Sequence, residues 1–130
     1  MEWPHDDLAA RGVDLKDMGV LFPFHKVDIY FEEALLSLEK SIDVDINLIL
    51  INDSQNKNNI GIAKNIFPDL THVFTGGKRG YGYSLSEGTK YLKSDFIALM
   101  NSDDLISPKR LALQVQSLKN SELSISKVKR

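Results

Sequence analysis

The chain has no cysteine, which excludes disulfides, thiolate zinc sites and cysteine nucleophiles; any bound metal is left to oxygen ligands. It also lacks a charge imbalance. Sixteen Lys and Arg face eighteen Asp and Glu, a net charge of -2, so no overall field draws the protein onto nucleic acid or an anionic membrane. Binding must come from a local site. No apolar run approaches the ~20 residues that cross a bilayer. The opening Met1-Glu2-Trp3-Pro4-His5-Asp6-Asp7 is acidic, without the basic-then-apolar order of a secretory signal. The expectation is a cytoplasmic protein, with attachment to the inner face of a membrane left to partners. Internal repeats are absent as well. What remains is 130 residues, 42% of them hydrophobic, enough for one domain around one core.

Residues 1–18 carry charge without a sustained period and are expected to be a leader or capping segment. From Gly19 the pattern becomes regular. Val20-Leu21-Phe22, halted by Pro23, predicts a short buried strand that opens into a loop. Phe31, Ala34, Leu35 and Leu38 recur at i, i+3, i+4 and i+7 and predict a helix from about Asp28 to Ser41. Ile46 to Ile51 is aliphatic except for Asn47, as in a strand covered on both faces of a parallel sheet. After the polar stretch 55–59 come a short helix, Ile60 to Phe67, stopped by Pro68, and a third strand, Thr71 to Phe74. A glycine-dense loop, residues 76–82, leads into a helix with Leu85, Thr89 and Leu92 on one face and Gly88 beside it. Phe96 to Met100 predicts the fourth strand. Ser107 as N-cap and Pro108 at the first helical position predict a last helix to about Lys119, striped by Leu111, Val115 and Leu118. Residues 19–120 therefore read as one Rossmann-like α/β domain, a mainly parallel sheet with helices on both faces, and 121–130 as a tail.

In open α/β sheets ligands gather at the carboxyl ends of strands. Three polar groups stand there: Pro23-Phe24-His25, Asn52-Asp53-Ser54 and Asn101-Ser102-Asp103-Asp104. Two adjacent carboxylates with an amide nearby offer hard oxygen ligands for Mg²⁺ or Mn²⁺, in the kind of site that shares its ion with substrate phosphates. The plainer reading of the same residues is a solvated turn in which Asp104 helps cap the next helix.

These segments together resemble the family-2 glycosyltransferases. Pro23-Phe24-His25-Lys26 followed by Tyr30-Phe31-Glu32-Glu33-Ala34-Leu35 is similar to their opening motif. Leu48 to Ser54 resembles their second strand with its closing aspartates, and Gly80 to Gly88 the glycine-led start of their third main helix. Phe96 to Asp104, continued by Ser107 to Leu111, resembles the strand that ends in their Asp-x-Asp motif. The likeness runs in order from about Val20 to Leu118. It implies a partial GT-A fold, the nucleotide-sugar-binding half of an inverting sugar transferase that uses Mn²⁺ or Mg²⁺. The donor implied is a nucleoside-diphosphate sugar, a UDP-sugar in the first place, and the acceptor a glycan or lipid-linked acceptor, as in bacterial surface polysaccharide synthesis.

Carried over by position, the resemblance gives Asp53 a base-binding role, against the alternative of a loop-capping aspartate. It sets His25 where the family commonly has a tyrosine beside the base, with Pro23 and Phe24 at the same edge; Phe24 also reads as core. Arg79, next to Lys78, is placed where a cation meets phosphate. Asn101 takes the first Asp-x-Asp position, an amide in place of a carboxylate, and Asp103 the second; Asp103 and Asp104 are the implied metal ligands. Asn52 likewise replaces the first aspartate after the second strand. The acceptor side and catalytic base of the family fall in the second half of its fold, so the expectation is donor binding by a truncated chain or one half of a split enzyme. Three readings compete. Nucleotidyl transfer asks for a glycine-rich basic loop after strand one, and a phosphate-accepting receiver domain asks for an acidic pair there; Pro23-Phe24-His25-Lys26 is neither. A non-catalytic remnant that binds nucleotide or a partner protein fits as well, with self-association or a complementing subunit through an uncovered apolar face.

Overall fold

Four apolar runs become four parallel strands: β1 (Lys16–Phe24), β2 (Val44–Asn52), β3 (Thr71–Phe74) and β4 (Phe96–Leu99), in the sheet order β3-β2-β1-β4. Between and after them lie α1 (Ile29–Glu39), α2 (Gly61–Ile66), α3 (Tyr81–Thr89) and α4 (Arg110–Asn120). The computed structural model describes residues 16–120, with side chains from 17 to 117. Residues 1–15 of the expected leader, the tail 121–130 and the side chain of Leu118 lie outside the described residues.

Strand alternation sorts the core into two layers. Met18, Val20, Phe22 and Phe24 of β1 and Leu48 and Leu50 of β2 point to one face, where they meet Phe31, Ala34, Leu35 and Leu38 of α1, Ala63 of α2, and Leu111 and Val115 of α4. Leu21, Ile49 and Ile51 point to the other, against Val73, Leu85 and Leu92. The forward crossovers through α1 and α2 thus share one face. The long return from β3 past β1 to β4 carries α3 on the opposite face, as a single hand of connection requires. All four stripe residues of α1 are buried, and Asp28 caps the helix by accepting from the Phe31 N–H at 3.0 Å. Fully buried Phe31 has ring centroids of Phe22 and Phe24 at 5.8 and 4.7 Å, and burying such a side chain contributes roughly 1.5–3 kcal/mol.

The structure corrects several expected boundaries. β1 begins at Lys16, which brings Met18 into the core and out of the leader, and it runs through Pro23 to Phe24. Pro23 is tolerated in a central strand because the ladder toward β4 has ended there: Met100 N–H donates to the Leu21 carbonyl at 3.0 Å, and no donor is required of the next residue facing that side. On α3 the buried positions are Ser84 and Gly88, while Thr89 is exposed and Leu92 follows the helix end. The helix lies close to the sheet through Ser84 and Gly88, with Leu85 and Leu92 packing beside them as expected, and only Thr89 of the expected stripe turns outward. α4 starts at Arg110, because Ser107 is spent on a preceding turn in which its carbonyl accepts from the Arg110 N–H at 3.1 Å. β4 ends at Leu99 and flanks only β1 among the described residues; its Ile97 is 43% exposed, so this apolar run is not covered on both faces.

Gly88 sets the approach of α3 to the sheet. A Cβ there would stand 2.4 Å from Ile51 Cδ1 and 3.2 Å from Leu21 Cδ2, both side chains being buried. Gly88→Val is expected to destabilise the fold by about 1–3 kcal/mol, the usual cost of overpacking, read as a lower urea midpoint with an unchanged slope.

Candidate functional site

The carboxyl ends of β1, β2 and β4 and the start of α3 enclose a cleft of ≈ 860 Å³. Its lining joins residues from every polar group picked out in the sequence: Pro23, Phe24 and His25 after β1, Asp53 and Ser54 after β2, and Asn101, Ser102 and Asp103 after β4. Lys78, Gly80, Tyr81 and Ser84 close the side beneath α3, and Asp28 and Tyr30 the start of α1.

Asp53 is 8% exposed and organises the loop between β3 and α3. Its Oδ1 accepts from the Thr75 hydroxyl and from the Arg79 N–H at 3.0 Å, and its Oδ2 from the Gly80 N–H at 2.9 Å. The same segment is zipped to β2 by the main chain, with Thr75 N–H on the Asn52 carbonyl at 3.1 Å and Lys78 N–H on the Asp53 carbonyl at 3.0 Å. To aim these donors inward the loop needs left-handed backbone at Gly76, Gly77, Lys78 and Gly80. Gly77 is also required sterically, since a Cβ would meet the Ser54 carbonyl oxygen at 2.9 Å. Lys78 takes φ 57° with a side chain, a conformation costing on the order of 1 kcal/mol, and thereby presents that side chain to the cleft. Burial pushes the Asp53 carboxyl up, but the bonds from Thr75, Arg79 and Gly80, together with nearby His25, outweigh it and hold the group below its ordinary 3.8.

Asn52, fully buried, shows what an amide does at the end of β2. Its Oδ1 accepts from the Ser54 N–H at 3.0 Å and the Ser54 hydroxyl at 2.6 Å, while its Nδ2 donates to the Asn56 carbonyl at 3.0 Å. A carboxylate could not make that last bond. On the far side, Asn101 is held twice: its N–H donates to Asp104 Oδ2 at 3.0 Å, and its Oδ1 accepts from the Tyr81 hydroxyl at 3.1 Å. Tyr81 thereby ties the start of α3 to the loop after β4.

Two sequence-predicted residues are placed elsewhere. Arg79 does not line the cleft; its guanidinium stacks 3.9 Å above the Tyr83 ring, and only its N–H serves the site, so Lys78 is the cation of this loop that faces the cleft. Asp104 does not line it either, its carboxylate being turned back onto the Asn101 N–H. Asp103 is exposed and faces the cleft. Phe24 does both things expected of it, buried against Phe31 and lining the cleft edge.

Residues 20–130 match the family described as glycosyl transferase family 2. The chain belongs to that family. An uncharacterized glycosyltransferase of Haemophilus influenzae is 26% identical over 109 residues, 82% of this chain and 44% of that protein. Among solved structures, S. aureus TarS superposes with a TM-score of 0.69 at 19% identity, over 80% of this chain and 20% of that one. Mannosyltransferase PcManGT from Pyrobaculum calidifontis, solved with GDP-Man and Mn²⁺, superposes with a TM-score of 0.67 at 16% identity, over 81% of this chain and 33% of that one. At such identities the structures establish the shared fold, the α/β architecture of GT-A glycosyltransferases. The chain spans less than half the length of the curated relative and a third or less of these structures.

Sequence reasoning missed Thr75, Tyr81 and Ser84. Thr75 directly follows β3 and was open to the strand-end rule that found its neighbours. Tyr81 and Ser84 lie in the first turns of α3, where no spacing signal separates a cleft residue from a packing one.

Because the native Asp53 carboxyl sits below 3.8, its stabilising contribution is fully present above that pH and is lost as pH falls through the lower native value. Stability of the native chain is therefore expected to fall on acidification below 3.8. In Asp53→Asn that acid limb should flatten, and stability at neutral pH should drop by about 1–3 kcal/mol as the Gly80 N–H loses its acceptor and meets an amide donor instead; urea unfolding at a series of pH values reads both effects.

Proposed function

We propose that the cleft holds the nucleoside diphosphate of an activated sugar, UDP-sugar before others, and that the chain supplies the donor side of an inverting sugar transfer to a glycan or lipid-linked acceptor. The observation that carries this is the pairing of two carboxylates with different surroundings across one cleft. Asp53 is buried, ionised and hydrogen-bonded; Asp103 is exposed. They follow β2 and β4, which flank β1, so two strand spacings, roughly 9–10 Å, separate the strand ends that carry them. That is the span of a nucleoside laid across the ends of the sheet.

Asp53 Oδ2 takes one bond from Gly80 and keeps acceptor capacity for an N–H of the base, a charge-assisted bond of the stronger kind. Pro23 and His25 flank it, the imidazole offering a ring to stack. Asn101, held by Tyr81 and Asp104, stands where a ribose hydroxyl would lie, and Lys78 faces the cleft with a charge suited to phosphate. The solved relatives add support: TarS has been crystallised with UDP-GlcNAc, and PcManGT with GDP-Man and Mn²⁺.

The residues present fit a shared divalent cation and not an all-protein one. Among the described residues no group of three His, Asp or Glu side chains is placed to hold a metal. Mg²⁺ or Mn²⁺ commonly takes one or two carboxylates and completes its shell with phosphate oxygens and water, and Asp103 would be the carboxylate here, with Asp104 positioning Asn101. Such an ion supplies neutralisation of the charge that gathers on the departing diphosphate. The chain's own part is to bind base and ribose, orient the diphosphate and direct the anomeric carbon toward an acceptor hydroxyl.

Calorimetric titration with UDP tests this reading. Binding is expected to tighten with Mn²⁺, and Asp103→Asn to remove that increment while leaving the metal-free affinity in place. Asp53→Ala should weaken both by about tenfold or more, the loss of one charged hydrogen bond. A folded chain that binds none of UDP, GDP or dTDP would refute the proposal.

A further inference from the structure

Ser84 is 1% exposed, lines the cleft, and its Oγ has no hydrogen-bond partner. A hydroxyl in the second turn of a helix ordinarily bonds back to the carbonyl one turn earlier. Here the Gly80 carbonyl receives only the ordinary helical bond from the Ser84 N–H at 3.0 Å, and the hydroxyl is left unbonded on the buried face of α3. Its position follows from the packing of α3. Gly88, one turn further along the same helix face, rests on Ile51 and Leu21. By strand alternation Pro23 and Asp53 are the next residues of β1 and β2 on that face. Ser84 therefore lies toward the carboxyl ends of β1 and β2, on the side of Pro23 and Asp53, and is linked to Asp53 through Gly80, whose N–H bonds Asp53 Oδ2 at 2.9 Å.

We infer that the Ser84 hydroxyl is a base-contacting group: it donates to a ring carbonyl of the nucleobase next to the N–H that Asp53 accepts. The inference rests on the nucleotide-binding reading given above and adds a residue to it. Uracil presents an N–H between two carbonyls, so an acceptor and a donor side by side match two adjacent atoms of its edge. A partnerless buried hydroxyl is costly in the free protein, and the ligand removes that cost on binding. The arrangement trades stability of the free chain for affinity.

Ser84→Ala deletes only the oxygen, so the variant keeps the packing of α3. Thermal melting of the free variant should give a Tm equal to or above that of the native chain. Its Kd for UDP in the presence of Mn²⁺ should rise about five- to tenfold, while the Kd for inorganic pyrophosphate stays unchanged. An unchanged UDP affinity in the variant, or a lowered Tm without ligand, would overturn the inference and leave the nucleotide site standing. Equal weakening of UDP and pyrophosphate would move the contact to the phosphates and also overturn it. A folded native chain that binds no UDP would remove the nucleotide reading itself, and this one with it.

Discussion

A carboxylate buried to the depth of Asp53 must find donors or give up its charge, and Asp53 finds three on one loop. The Thr75 hydroxyl and the N–H groups of Arg79 and Gly80 turn inward to it. This single demand shapes the segment between β3 and α3. It explains why glycines recur at 76, 77 and 80, why Lys78 accepts a left-handed backbone, and why α3 starts where it does. Gly80 belongs to the Asp53 shell through its N–H and to the first turn of α3 through its carbonyl, so the carboxylate and the helix are fixed as one unit. The cleft lies along that unit.

The opposite wall is built by different means. Asp104 and Tyr81 hold Asn101 from two directions, one through the main chain and one through the side chain. Asp103 is left exposed to the cleft. Of the adjacent acidic pair, one residue thus builds the turn and the other lines the cleft. The asymmetry extends to the basic pair: Arg79 stacks on Tyr83, and Lys78 faces the cleft. In both pairs one member is engaged in local structure and its neighbour faces the cleft.

The architecture was legible because its signal is hydrophobic periodicity. The stripe Phe31, Ala34, Leu35, Leu38 and the run Ile46 to Ile51 point to a helix packed on one face and a strand covered on two; the helix is so packed, and the strand is covered from Leu48 onward, with Ile46 half-buried and Asn47 exposed. The strand-end rule then led to Pro23, Phe24, His25, Asp53, Asn101 and Asp103, all of which line the cleft. Three kinds of detail were not legible. Pro23 reads as a stop, yet only the extent of the β4 ladder decides whether its missing donor matters. The spacing on α3 places Leu85 and Leu92 on the sheet and Gly88 beside them, as found, but it also points to Thr89, where the structure buries Ser84 instead. Which member of Asp103-Asp104 and of Lys78-Arg79 turns inward depends on loop dihedrals that composition does not encode.

The family, the fold and a cleft with one buried and one exposed carboxylate are thus joined by physical steps, and the account stands on nucleotide binding at that end of the sheet. The most direct test is an amide-resolved NMR titration of the ¹⁵N-labelled chain with UDP and Mg²⁺. Shifts are expected at Arg79, Gly80 and Tyr81, at Asn101 to Asp103, and at His25. They should be absent at Ser41, at Val44 to Asn47 and at Asp69 and Leu70, which line the separate hollow at the amino end of β2. Shifts confined to that second group, or no shifts from a folded chain, would contradict the account.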